Sequence, residues 1–394
     1  MAFLSGSLGF ERFNVNGFNV KKFSEKHIET LRNATAGRFE TTAEENIQVG
    51  FLGGDHLFDQ SFDLDKNIID GALHCAIRID TNQVPNAIRK AWLAIELAAA
   101  CASNDSGRPN KAQKQDAKEA VEQRCREEAA TGKYRKMAQF PVLWDLPNGT
   151  LYFGGSGAAA LGHCADLFER TFGVELCGKT AGSVALDWAT QNDAIERLED
   201  LAPATFATDQ AIPDVSWSNP FSPYSDFLGN EFLMWLWWQL ENETDTLELS
   251  DETELTAMLT KTLVLECPLG EYGKETITAD SPIHLPEALQ AIRNGKLPRK
   301  TGMTLVRFGQ QFDLVLQAET FAMSGAKIHL DDDGDPHDLD ARIQSIRDLC
   351  ESVDLLFLNF LELRIQSAVW KRTQAKITKW LSNSELNRRK PAAA

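Results

Sequence analysis

The chain has 394 residues, with 40 lysines and arginines against 57 aspartates and glutamates, a formal net charge of −17. That length leaves room for two or three domains with real cores. No stretch approaches the roughly 20 apolar residues that a membrane-spanning helix requires, and the acidic balance taken alone argues against nucleic acid as a partner. The opening MAFLSGSLGFERFNV has no basic segment ahead of a long apolar run, so it reads as a first strand and not as a leader. Seven dispersed cysteines (Cys75, Cys101, Cys125, Cys164, Cys177, Cys267, Cys350) form no Cys-x-x-Cys pair and read as reduced thiols of a cytosolic protein.

In chain order, SGSLGFERFNV alternates as a strand does, and FSEKHIETLRNAT has the helical period with Ser24 as its N-cap. ENIQVGFLGG and GALHCAIRID are two more short strands. VPNAIRKAWLAIELAAACA opens a helix with Pro85 at its start, where a missing N–H costs little. After a break at SNDSGRPN comes KAQKQDAKEAVEQRCREEAATGKYRKMA, a charged helical segment with too few apolar residues to bury a wide face. FPVLWDL, PNG and TLYFGG read as strand, turn and strand, and SGAAALGHCADLFERTFG reads as a helix stopped by Gly173. Acidic, proline-rich sequence surrounds the aromatic run LGNEFLMWLWWQL. A helix, HLPEALQAIRNGK, precedes a strand meander that turns at Gly309 and Gly325, and the stretch from LDARIQ to AKITKW is one long helix or two in series.

These elements predict an α+β chain with mixed antiparallel sheets, packed helices and several lobes. The expected regions are an N-terminal α+β region over 1–190, with a projecting charged helical segment at 108–137, and an acidic connecting region over 191–279. A C-terminal α+β region over 280–381 and a disordered tail over 382–394 follow.

Charge is segregated along this plan. Residues 108–136 hold nine basic and five acidic side chains, 288–307 hold five basic and none acidic, and 364–390 hold eight basic and one acidic. Residues 193–266 carry sixteen acidic and two basic. Lys111, Lys114 and Lys118 recur at i, i+3 and i+7, one stripe of a helix. Arg124, Arg126, Lys133, Arg135 and Lys136 continue the run around Tyr134. With Lys296, Arg299, Lys300, Lys371 and Arg372 they are the candidate phosphate contacts, since neutralising phosphates needs flexible cations and no base-reading code. A solvated helix balanced by Glu119, Glu122, Glu127 and Glu128 explains the same spacing equally well.

Other motifs are weaker. Gly155-x-Gly157-x-x-Ala160 sits at a strand-to-helix turn, but Ser156 suffices there as an N-cap and no βαβ unit with a ribose-binding acid follows. HLDDDGDPHDLD fails the calcium-loop register and reads as an acidic turn. His56 lies near Asp55, Asp59, Asp63 and Asp65, a set that reads as a solvated loop before it reads as a cation site. No P-loop or nucleophile elbow is present, so no catalytic residue, cofactor or metal is assigned. The aromatic run, apolar on both helical sides, belongs to a core or to a subunit contact through Trp235 and Trp237.

Taken together, VGFLGG, ALHCAIRIDTNQVPNAIRKA, KAQKQDAKEAV, FPVLWDLPNGTLYFGG and LFERTFGVEL resemble, in order, the recombination-associated protein RdgC family. LPEALQAIRNGKLPRKTGMTL and DLDARIQSIRDLCESVDLLFL extend the resemblance, which covers roughly residues 3–190 and 280–370. It implies a ring-shaped homodimer of the bacterial cytoplasm, associated with the nucleoid. Such a dimer binds duplex DNA with little sequence preference and restrains the strand-exchange recombinase. Lys111, Lys114 and Lys118 match the family's lysine-rich segment, and Tyr134 aligns near its ring-closing contact. The expanded acidic block and the basic stretch after Trp370 depart from the family pattern. A metal-dependent DNA exonuclease and an acidic protein-interaction scaffold are the alternative readings.

Overall fold

The computed structural model describes residues 3–37, 47–102, 107–207, 224–268, 273–329 and 338–382. The SNDS break, most of the proline-rich loop, the acidic turn after His329 and the expected disordered tail beyond Ser382 lie outside these residues.

The first half of the chain forms β1 (Leu8–Asn16), α1 (Glu25–Asn33), β2 (Ile47–Leu52), α2 (Leu64–Asn67), β3 (Ile68–Ile69), β4 (Ala72–Asn82), α3 (Asn86–Ala102) and α4 (Lys111–Ala130). It continues through β5 (Arg135–Asp145), β6 (Thr150–Phe153), α5 (Ala158–Phe172), β7 (Glu175–Gly178), α6 (Ala181–Gln191) and α7 (Ile195–Glu199). The second half forms α8 (Phe227–Asn242), β8 (Thr246–Glu248), β9 (Glu254–Glu266), β10 (Lys274–Ala279) and α9 (Pro286–Arg293). β11 (Leu297–Arg307), β12 (Gln310–Gln317), β13 (Met323–His329), α10 (Leu339–Ile365) and α11 (Ser367–Ser382) complete it. The fold class is therefore α+β, as the alternation of strand and helix patterns predicts.

Contacts divide the chain into two units that interleave in sequence, where the sequence reading laid its regions end to end. Unit 1 comprises Gly17–Pro147 and Ser156–Glu175; unit 2 comprises Ala2–Asn16, Asn148–Gly155 and Leu176–Ala394. The acidic region is not a connector of its own, because α8, β8, β9 and β10 all belong to unit 2.

Unit 1 is built on β5, β4 and β2, paired antiparallel in that order, with β3 also on β4. The central strand β4 is buried from Ala72 through Asp80, its polar side chains His74, Arg78 and Asp80 included. Trp144 anchors the core, its ring 4.4 Å from Phe18, 5.2 Å from Phe23 and Phe172, and 5.5 Å from Phe168. Helix α1 starts where Ser24 was expected to cap it, in a capping box closed by His27.

Unit 2 carries the antiparallel order β10-β9-β11-β12-β13-β1-β6. The aromatic run is α8, buried continuously from Leu228 to Trp238. Phe232 meets Phe357 at 5.6 Å and Phe360 at 6.0 Å, and Trp237 meets Trp380 of α11 edge-on at 5.8 Å. A helix that is apolar all round must be enclosed, and α8 is. Gly229 lets α8 approach the backbone, since a Cβ there would collide with the Ala318 carbonyl. Gly229→Ala is expected to lower stability by about 1–3 kcal/mol, read as a lower urea midpoint, because backbone cannot swing aside as a side chain can.

Among the described residues, no helix is long and apolar enough to cross a membrane, and the seven cysteines are all free.

Candidate nucleic-acid interface

Helices α3 and α4 pack chiefly on each other. The seam on the α4 side is narrow, because only Ala117, Val121 and Ala129 are buried. Helix α3 buries none of its residues fully, and Ile95 is 60% exposed. Asn110 caps α4 by accepting from the Gln113 N–H at 2.9 Å, while the Gln113 side chain accepts from the Asn110 N–H at 3.0 Å. At its other end the buried Asn82 side chain donates to the Ala129 carbonyl at 2.8 Å, tying the last turn to the end of β4.

On this frame Lys111, Lys114 and Lys118 are exposed and make no ion pair among the described residues. The acids expected to balance them are engaged elsewhere. Glu119 accepts from Gln115 at 2.9 Å, Glu127 from Gln123 at 2.9 Å, Glu122 pairs with Arg89 of α3, and Glu128 pairs with Lys133 at 3.1 Å. None of these four acids pairs with Lys111, Lys114 or Lys118, although Glu119 and Glu127, bonded to neutral amides, keep their own charge. Arg126 is exposed, whereas Arg124 rests over the Trp92 ring, 4.4 Å from its centroid.

The helix ends earlier than the charge run suggests. Thr131 and Gly132, the latter at φ 73°, stop it, so Arg135 and Lys136 lie on β5. Lys136 is exposed, but Arg135 is committed to the buried Asp80 at 3.1 Å. Lys133 sits 5.4 Å from the centre of the Tyr134 ring, and Tyr134 itself is half-buried.

Three sequence candidates in β11 and its approach fare differently from α4. Lys296 is only 5% exposed and is neutralised by Glu275. Arg299 pairs with Glu266 at 2.7 Å and Glu319 at 3.3 Å, and Lys300 is half-buried on the strand. Lys296 and Arg299 thus spend their charge inside unit 2, a correction to the expectation that both face a polyanion. Lys371 and Arg372 are exposed on α11. Trp235 and Trp237, expected at a subunit contact, are 2% and 0% exposed and are enclosed by their own chain, which leaves them no face to offer a partner.

The other motifs resolve into local structure. Asp59 accepts from the Ser61 hydroxyl at 2.5 Å and from Lys66 at 2.6 Å, and Lys66 also reaches Asp55 at 3.1 Å. Burial raises the Asp59 carboxyl, but Lys66, Ser61 and the Asp55 N–H more than offset it and hold it far below the ordinary range. Asp63 caps α2. Among the described residues no group of three His, Cys, Asp or Glu side chains is placed to hold a metal ion. Gly157 (φ 101°), and not Ser156, is the N-cap of α5, with no side-chain cap.

Two features escaped the sequence reading: the bare side of α3 and the ion pairs that cancel Lys296 and Arg299. The apolar count of α3 was a signal for the first, since a 17-residue helix whose broad partner among the described residues is α4 cannot bury it all. No family model matches the chain, and no curated relative matches it.

Proposed function

We propose that this protein is a homodimer that binds duplex DNA without sequence preference and restricts the access of recombination proteins to it. The observation that carries the reading is the stripe Lys111, Lys114 and Lys118, exposed and without an ion pair among the described residues, in a chain of net charge −17. Such a stripe contacts phosphates and not base edges, which gives affinity without a sequence code. The partly bare α3 supports self-association, since an exposed Ile95 on an apolar helix is the kind of surface a second copy covers. The ring, the recombinase and the nucleoid come from the resemblance to the RdgC family alone.

A salt titration of duplex binding, run beside a sizing measurement, tests the proposal. Log affinity is expected to fall linearly with log salt, and Lys111→Gln/Lys114→Gln/Lys118→Gln is expected to lower the slope by roughly 2.7, about 0.9 per phosphate contact. A flat response, or no retention at low salt, would sink the DNA reading. Labelled duplex incubated with magnesium or manganese is expected to stay uncut; cleavage would favour the exonuclease alternative.

A further inference from the structure

The second row of cations lies on α11, in the stretch that departs from the family pattern. We propose that the outer face of α11 is a contact for the phosphate backbone of duplex DNA, separate from the α4 stripe. The inference rests on the DNA-binding reading and assigns it a further surface on unit 2.

The segment SAVWKRTQAKITKWLS holds four cations and no acid, in a chain where acids outnumber bases. Trp370, Thr373, Ile377, Trp380 and Leu381 are its buried residues. They hold the helix on several sides of one face. The Trp370 ring meets Phe360 at 5.7 Å and Phe206 at 6.2 Å, and Trp380 meets Trp237 at 5.8 Å. The Arg293 side chain donates to the Leu381 carbonyl at 2.6 Å, and Gln374 donates to the Thr205 carbonyl at 2.7 Å. With that face packed, Lys371, Arg372, Lys376 and Lys379 are left exposed on the rest of the helix.

Only Lys376 is spoken for. It pairs with Glu243 at 3.0 Å and lies 5.5 Å from the centre of the Trp238 ring. Lys371, Arg372 and Lys379 make no ion pair among the described residues. Lys371 and Lys379, with Gln374 and Thr378, line a groove of about 510 Å³. From Lys371 to Lys379 the helix rises about 12 Å, the axial length of three to four base pairs at about 3.4 Å each.

Helix stability does not explain the row. A cation near the C-terminus complements the helix dipole, which accounts for Lys379. Lys371 and Arg372 are the fifth and sixth residues of the helix, beyond the first turn within which the dipole's effect falls off. The dipole therefore accounts for neither of these two cations, which suit a polyanion outside the helix.

The full-length variant Lys371→Gln/Arg372→Gln/Lys379→Gln is expected to lower the salt slope by roughly 2.7, about 0.9 per contact. Its melting temperature is expected to stay at the wild-type value, because all three side chains are exposed. Arginine at Lys371 and Lys379 is expected to keep the wild-type slope, since phosphate contact needs charge and not shape. Combining the α11 and α4 replacements is expected to remove both increments. Wild-type slope in the α11 variant, with the α4 variant impaired, overturns this inference and leaves the DNA-binding reading standing. A wild-type protein that does not retain duplex at low salt overturns both.

Discussion

Glu231→Ala is expected to destabilise unit 2 by about 3–5 kcal/mol, the cost of leaving a buried charge without its partner. Glu231 lies within α8, 1% exposed, and its carboxylate accepts from Arg364 Nε at 2.5 Å and from the Ala204 N–H at 2.7 Å. Arg364 also donates to the Ala202 carbonyl at 2.8 Å and lies 4.9 Å from the centre of the Trp370 ring. Burial pushes the Glu231 carboxyl up, and the neighbouring guanidinium pulls it back only in part. Truncation strands the guanidinium, which water cannot reach. Replacing both partners, as Glu231→Met/Arg364→Met, is expected to recover most of the loss, because the apolar surroundings suit methionine. Urea midpoints of Glu231→Met, Arg364→Met and the double variant close a mutant cycle. A double variant as unstable as the sum of the singles would show that the pair is not the unit that matters.

Stability is expected to fall by about 3 kcal/mol between pH 6.5 and pH 4 through His74 alone. Burial lowers the His74 imidazole from 6.5 to about 4, and its Nε2 has no hydrogen-bond partner among the described residues. The unfolded chain takes up the proton near 6.5 and the folded chain refuses it until about 4, so stability rises with pH across that window and is complete above it. His74→Leu is expected to flatten the dependence, since no buried nitrogen is then left to charge. It is also expected to cost little at pH 7, because replacing an unpaired polar ring by an apolar side chain removes a desolvation penalty. The urea midpoint measured from pH 4 to pH 8 in both proteins checks the pair of expectations. An unchanged pH dependence in the variant would move the effect to other groups, His27 first, whose imidazole is also lowered, by burial and by Lys26.

Much of the fold is legible because its signals are local. Ser24 caps α1, and Gly173, at φ 66° in the left-handed region that glycine tolerates, stops α5. The turn at Gly309 separates β11 from β12 as expected, whereas Gly325, at φ 59°, lies within β13 and the chain turns from β12 to β13 over residues 318–322. That α8 must be covered was legible too, since it is apolar on both sides, but the choice between a core and a subunit contact was not, and its own chain encloses it. The end of α4 was not, because a run of cations crosses from helix to strand without a break while Gly132 makes the break in the backbone. Nor was the interleaving of the two units, because sequence distance says little about which strand a returning segment joins.

For the candidate interface, sequence by itself determined that Lys111, Lys114 and Lys118 share one helical stripe, since that follows from 3.6 residues per turn. It also determined that the charge of this acidic chain is segregated into tracts. Only the tertiary structure decided which cations keep their charge for an outside partner. Lys296 and Arg299 lose theirs to Glu275 and Glu266, 21 and 33 residues away. Lys111, Lys114 and Lys118 make no ion pair among the described residues, and of the nearby glutamates of α4 Glu122 and Glu128 pair with Arg89 and Lys133. A charge is cancelled by whatever lies within a few ångströms of it, and that distance is set by strand pairing and helix packing, which no spacing along the chain records.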